Sequence, residues 1–225
     1  MIELRTLGPI DVVADGAPAP AELLWRKNLA LLVYLARSPR RARSREHLIG
    51  LLWGDRPESA ARHSLSEALR VLRRHLGEGA IETAGGTVRL AAGALRLDCD
   101  DLEGRIAARD WAGAAALVAG EFLEGFGVPD ASDFESWLTS ERAAWRRRGV
   151  EALGRRAEAV LATGDLTAAT ALAERAVALG PTSDCPARVV VRCRALAGDR
   201  GGALAACDRL AGPLPRGGAR PGAGP

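Results

Sequence analysis

The residues of this chain with the most pronounced chemistry are arginines. Nine of them (Arg40, Arg41, Arg43, Arg45, Arg56, Arg62, Arg70, Arg73 and Arg74) fall between positions 40 and 75 against four acids, and all three histidines (His47, His63, His75) share the stretch. A guanidinium offers five N–H donors and a permanent charge, so such a cluster suits a polyanion, with phosphate met through charge and guanine through paired donation. The choice of Arg over Lys says less. Lys27 is the sole lysine among 31 basic residues in an Ala- and Gly-rich chain, the pattern that a GC-rich coding sequence produces. The net charge of +3 conceals the cluster, because residues 1–97 hold 15 basic and 10 acidic side chains and the remainder hold 16 and 18.

Other reactive groups assemble into no site. Cys99, Cys185, Cys193 and Cys207 lack CxxC pairing and zinc-finger or zinc-ribbon spacing, so they read as buried or half-buried free thiols, with no metal and no redox role. Phosphate loops, nucleophile elbows and zinc-protease motifs are missing, and Gly85-Gly86 lacks the strand-to-helix context of a phosphate cradle. The expectation is a protein that is not an enzyme and carries no cofactor. Apolar stretches are broken by charge well short of the ~20 residues of a membrane span, and Met1–Arg5 is not a basic region leading into an apolar one. A cytoplasmic protein without membrane contact is expected.

The elements that must carry the arginines follow from periodicity. Ile2–Leu7 and Ile10–Val13 alternate apolar and polar residues around Gly8-Pro9, as a strand pair does; Asp15-Gly16 closes it, and Ala17-Pro18-Ala19-Pro20 reads as a spacer. Leu23–Arg37 reads as a helix buried on most of its circumference and stopped by Ser38-Pro39. A second helix starts at Ser44, a lone serine cap because His47 stands where a capping box needs Glu or Gln, and ends at Gly54. The third begins near Pro57 or Ser59 and ends at Gly77. Its apolar stripe Ala61, Leu65, Ala68, Leu69, Leu72 and Leu76 lies opposite His63, Glu67, Arg70 and Arg74, with Ser66, Arg62 and Arg73 on one flank. Residues 80–83 and 87–90 around Ala84-Gly85-Gly86 then read as a hairpin. Strands, three helices with a basic third, and a hairpin make the order of a winged helix-turn-helix.

The second half is Ala-rich and helical. Gly164-Asp165 and Gly198-Asp199 are 34 residues apart, as are Pro181 and Pro215; Ala169 matches Ala203 and Ala173 matches Cys207. That is the tetratricopeptide period, in which small residues let paired helices approach closely. A weaker copy begins at Arg109-Asp110-Trp111 with Ala114 and Ala115. The fold expected is mainly α with small β-sheets, a winged helix-turn-helix over 1–97 followed by an all-α tetratricopeptide-like domain over 98–210. Residues 211–225, with five Gly and four Pro, read as a disordered tail.

Several ordered motifs resemble the Streptomyces antibiotic regulatory protein family, an OmpR-like winged helix joined to a bacterial transcriptional activator domain. They include Arg26-Lys27 before Leu31–Leu35, Ser44–Leu48, Leu52-Trp53-Gly54-Asp55, Ala60–Leu65, Leu72–Gly77, Gly86–Leu90, Gly120–Phe126 and Phe134–Leu138. The resemblance spans about residues 1–210 and implies a transcriptional activator that occupies direct repeats in promoter DNA as a homodimer and recruits RNA polymerase, in the cytoplasm at the nucleoid. Two features depart from it: the wing turn has no basic residue at its tip, and the chain runs into Arg216-Gly217-Gly218 where relatives continue.

On this reading His63, Ser66, Glu67, Arg70 and Arg74 face the bases of double-stranded DNA, while Arg26, Lys27, Arg43, Arg45, Arg62 and Arg73 hold phosphates. Wing contacts fall to Thr83, Thr87 or Arg89. Trp53 is expected in the core, and Trp25, Trp111, Trp137 and Trp145 as packing residues or interface anchors. Arg146-Arg147-Arg148 reads as a solvated face that can also meet a neighbouring protomer or flanking DNA. Two other readings stay open: a tetratricopeptide-like adaptor with a degenerate winged domain, and the regulatory front end of a longer signalling protein.

Overall fold

The computed structural model describes residues 2–211, and by packing it divides into two compact units that meet at Gly149 and Val150. The first unit opens on β1 (Ile2–Arg5), β2 (Asp11–Ala14) and β3 (Ala17–Pro18). Asp15 and Gly16 both have positive φ (49° and 82°), as the mirror-image two-residue turn requires, and they set Ala14 opposite Ala17. The first half of the expected spacer, Ala17-Pro18, is therefore the returning strand of a hairpin with β2. Pro18 can end it because an edge strand need not donate on its outer side.

α1 (Arg26–Arg37) has every residue from Asn28 to Ala36 buried, and Ser38 and Pro39 end it. A 3₁₀ turn at Pro39–Arg41 follows, with Arg40 and Arg41 both left-handed (φ 56° and 53°), and leads into β4 (Ala42–Ser44). α2 (Arg45–Trp53) starts at the expected cap, where Ser44 Oγ accepts from the His47 amide. α3 (Glu58–Leu76) buries Ala61, Leu65, Ala68, Leu69, Val71 and Leu72, and Gly77 stops it at φ 96°. β5 (Ile81–Ala84) and β6 (Thr87–Leu90) form the expected hairpin, turned by Gly85 and Gly86 at φ 55° and 75°.

β4 and β7 (Leu95–Leu97) have no counterpart in the periodicity, because three residues are too few to display one. β4 pairs antiparallel with β6, giving the order β4-β6-β5, and β7 lies parallel to β1, giving β3-β2-β1-β7. β7 thus ties the chain leaving the winged portion back to its first strand. α4 (Asp98–Ala107), α5 (Trp111–Leu117) and the first part of α6 (Ser132–Ala162) complete the unit. Asp98 receives the Thr6 and Leu7 amides at 2.6 and 2.8 Å and the Thr6 hydroxyl at 2.6 Å. Arg37, 16% exposed, is gripped by Asp100 at 3.1 Å and Glu103 at 3.5 Å and stacks on buried Trp145. The packing boundary accordingly lies well beyond residue 97.

The second unit holds the remainder of α6 with α7 (Leu166–Leu179), α8 (Asp184–Leu196) and α9 (Arg200–Ala211). Its core is made of small side chains, Ala157, Ala169, Ala173, Cys193 and Ala206 among Val160, Leu161, Val189 and Val190. The expected repeat is visible in the helix starts: Asp110, Asp165 and Asp199 each accept from the amide three residues on, at 2.8 or 2.9 Å. One matched pair behaves differently. Ala173 is buried in the cluster with α8 residues, whereas Cys207 is exposed. Cys185 is likewise exposed, so of the four thiols expected to be buried or half-buried, Cys99 and Cys193 are buried and the other two are not. Pro215 and residues 212–225 of the expected tail lie outside the described residues, whereas Ala211 closes α9.

Trp53 and Trp145 are core residues, Trp111 and Trp137 are half-buried, and Trp25 is 61% exposed at the start of α1. Arg148 lies over the Trp145 ring and pairs with Glu103, Arg146 pairs with Glu121, and Arg147 is exposed. No described helix is long and apolar enough to cross a membrane.

Candidate nucleic-acid interface

The apolar stripe of α3 fixes which of its side chains point outward. With Leu65, Leu69 and Leu72 sealed against the rest of the winged portion, His63, Ser66, Arg70 and Arg74 are exposed and Glu67 is half-exposed on the opposite ridge. The five residues expected to face bases therefore share one continuous surface. Their charges are not free, however. Arg70 donates through both Nε and Nη2 to a single oxygen, Glu67 Oε2, at 2.9 and 2.7 Å, and the guanidinium holds that carboxyl below the usual range. Arg74 donates to Glu22 Oε2 at 2.9 Å, and His75 approaches the same oxygen at 3.4 Å.

Two further elements border the ridge on the side of Ser66 and Arg73. Arg45, first residue of α2, donates from Nη2 to Ser66 Oγ at 2.9 Å, and its own amide donates to Gly86 O in the wing turn at 2.8 Å. Arg73 reaches Ile81 O at 3.1 Å and Thr83 Oγ1 at 2.6 Å. Recognition ridge, α2 amino terminus and wing are thus joined by two arginines into one surface. The amino end of α2, capped by Ser44, adds the partial positive charge of a helix terminus.

The phosphate candidates separate by what already holds them. Arg45 and Arg73 touch only neutral acceptors. Arg43 donates to Ser38 Oγ at 3.0 Å and lies over the Tyr34 ring, and Arg26 donates to Gly127 O at 3.3 Å. Arg62 is bound by Glu58 at 2.6 Å, an exposed pair of the kind worth under ~1 kcal/mol, so phosphate can replace the carboxylate. Lys27 is otherwise placed: 18% exposed, it pairs with Asp130 at 2.6 Å and sits over Trp53. In the wing, Thr83 and Arg89 are exposed and Thr87 is half-buried; Arg89 stands opposite Glu82 and Ala42 in the sheet register.

Three residues escaped the sequence reading. Arg56, between α2 and α3, is exposed and donates only to Ser64 Oγ at 3.3 Å; Arg40 is exposed on the turn before β4. Both belong to the counted arginine excess, but nothing in a loop sequence states an orientation. Glu22 was invisible as a partner because 52 residues separate it from Arg74.

Cys99 accompanies Thr6 at 3.2 Å in a buried position that pushes its thiol far up, away from reactivity. Among the described residues no group of His, Cys, Asp and Glu is arranged to hold a metal ion.

Residues 22–87 match the family described as transcriptional regulatory protein, C terminal, and residues 87–223 match the bacterial transcriptional activator domain. No curated protein matches significantly. A solved chain of Mycobacterium tuberculosis EmbR, in complex with a low-affinity phosphopeptide, is similar at 24% identity and a TM-score of 0.71, over 93% of this chain and 58% of that one. At that identity the likeness concerns the fold, a winged helix followed by a helical domain, and this chain spans little more than half of that chain's length. With more than half of its residues matched by the second family, the chain belongs to the bacterial transcriptional activator domain family.

Proposed function

We propose that this protein is a sequence-specific DNA-binding transcriptional activator whose α3 enters the major groove of promoter DNA. The observation that carries the reading is the joined surface of α3, the α2 amino terminus and the wing, on which Arg45 and Arg73 donate to neutral acceptors and to no carboxylate. Those guanidiniums, with Arg43 and Arg26 at the edges, supply phosphate contacts, and His63, Ser66, Glu67, Arg70 and Arg74 supply base contacts. Residues 1–97 form the DNA-binding module of this proposal and 98–210 the activator domain.

The activator domain serves RNA polymerase or a second protomer on a direct repeat. A groove of about 660 Å³ in the second unit, lined by Val177, Pro181, Val190 and Ala206 between Glu174 and Arg209, favours a protein contact there. The direct test is a mobility shift with host promoter fragments across a salt series. Binding that falls steeply with salt and survives competitor DNA is expected, and salt-insensitive or absent binding overturns the assignment in favour of an adaptor.

A further inference from the structure

Two features of the Glu67–Arg70 pair go beyond charge compensation. Both Arg70 donors on the Nε side converge on Glu67 Oε2, which leaves Oε1 with no hydrogen bond and leaves the end of the guanidinium, one hydrogen on each terminal nitrogen, directed away from the pair. The pair is also exposed at the centre of the ridge, Arg70 by 55% and Glu67 by 47% of its side chain, with neighbouring Arg74 already paired with Glu22. A carboxylate in this place repels phosphate and lowers general affinity for DNA.

It also repels the acceptors that dominate the major groove and tolerates only a base amino group. Adenine presents N6–H₂ beside its N7 acceptor, whereas cytosine presents N4–H₂ with no acceptor next to it on the same base. The free edge of Arg70 matches the two acceptors of guanine, O6 and N7. Three helical residues advance about 4.5 Å, comparable to the ~3.4 Å of one base step, so the two side chains can address bases one step apart.

We propose that Glu67 and Arg70 act as one reading unit for a cytosine and a guanine lying within one base step of each other, Glu67 accepting from cytosine N4 while it orients Arg70 onto guanine O6 and N7. This rests on the placement of α3 in the major groove and adds the identity of the bases read.

The test selects binding sites from a randomised duplex pool with the full chain and its Glu67→Gln, Glu67→Ala, Arg70→Ala and His63→Ala variants. The wild type is expected to fix a C and a G at neighbouring positions. Glu67→Gln should move the cytosine position toward adenine, which an amide reads with its paired acceptor and donor, and Glu67→Ala should abolish discrimination there, a loss of about five- to hundredfold. Both should bind unrelated duplex more tightly than the wild type does. Arg70→Ala should relax the guanine position.

If both Glu67 variants select the wild-type sequence while Arg70→Ala or His63→Ala changes it, the coupled pair is wrong and the groove placement stands. If no α3 variant alters the selected sequence, or the wild type selects none, the groove placement fails and the pair with it.

Discussion

At the scale of single residues, the interface is organised by which guanidiniums are already spoken for. Arg45 links Ser66 and the wing turn through neutral acceptors, so it can turn to phosphate without giving up an ion pair. Arg45→Ala should weaken binding to cognate and unrelated duplex alike and reduce the slope of log affinity against log salt by about one, measured by mobility shift at several salt concentrations. His47 carries a different consequence. Its Nε2 lies 2.6 Å from the Tyr34 hydroxyl, and burial first, then Arg43, push its pKa below the ordinary 6.5, with Asp133 opposing. As pH falls below about 6.5 the unfolded chain takes up this proton before the folded one does, so stability that is complete above that value drains away on acidification. The melting temperature of the wild type should fall between pH 7 and 5 by more than that of His47→Gln, and equal falls would clear His47 of the effect. The thiols divide in the same spirit. Cys207 should react first with a maleimide, Cys185 more slowly because partial burial and Glu158 raise its pKa, and Cys99 and Cys193 only after unfolding, as mass spectrometry of the modified protein would record.

At the scale of elements, helices and turns rest on local chemistry that can be removed one piece at a time. Ser44→Ala takes away the single side-chain cap of α2 and should cost about 1 kcal/mol in denaturant unfolding, with a further loss of DNA binding because the same helix end faces the interface. Gly86 at φ 75° should tolerate no side chain cheaply, and Gly86→Ala should cost about 1 kcal/mol and shift the wing. These elements were legible in the sequence for the same reason that they are fragile: Ser44, Gly77 and Gly85-Gly86 are local signals, and the stripe from Ala61 to Leu76 runs over about four turns. β4 and β7 were illegible because they exist through partners, β6 in one case and β1 in the other, that lie 45 and 93 residues away in register. The ridge of α3 was readable as a list of side chains, since geometry follows from 3.6 residues per turn. Its ion pairing was readable only within the helix, as Glu67–Arg70 and Glu58–Arg62, and not where Glu22 arrives from another element.

At the scale of the whole molecule, the winged portion is built into a larger unit. Asp98 holds the end of β1, Arg37 and Arg41 converge on Asp100, and Tyr34 meets Trp137 edge-on with ring centroids 4.9 Å apart. A fragment ending at residue 97 removes all of these partners and should be less stable than residues 1–149 by about 3 kcal/mol or more in urea. Equal stability would show that the winged portion stands alone. The helix starts at Asp110, Asp165 and Asp199 bear on the same point. Each is preceded by a left-handed residue, Arg109 at φ 55°, Gly164 at 88° and Gly198 at 80°. The first copy therefore keeps the backbone of the other two while losing the glycine that advertises it, and 55 residues rather than 34 separate it from the second. Counted by backbone conformation, the same helix start already occurs before the packing boundary at Gly149, though out of step with the later two, so the recurring motif of the chain and its division into compact units are two separate partitions of one sequence.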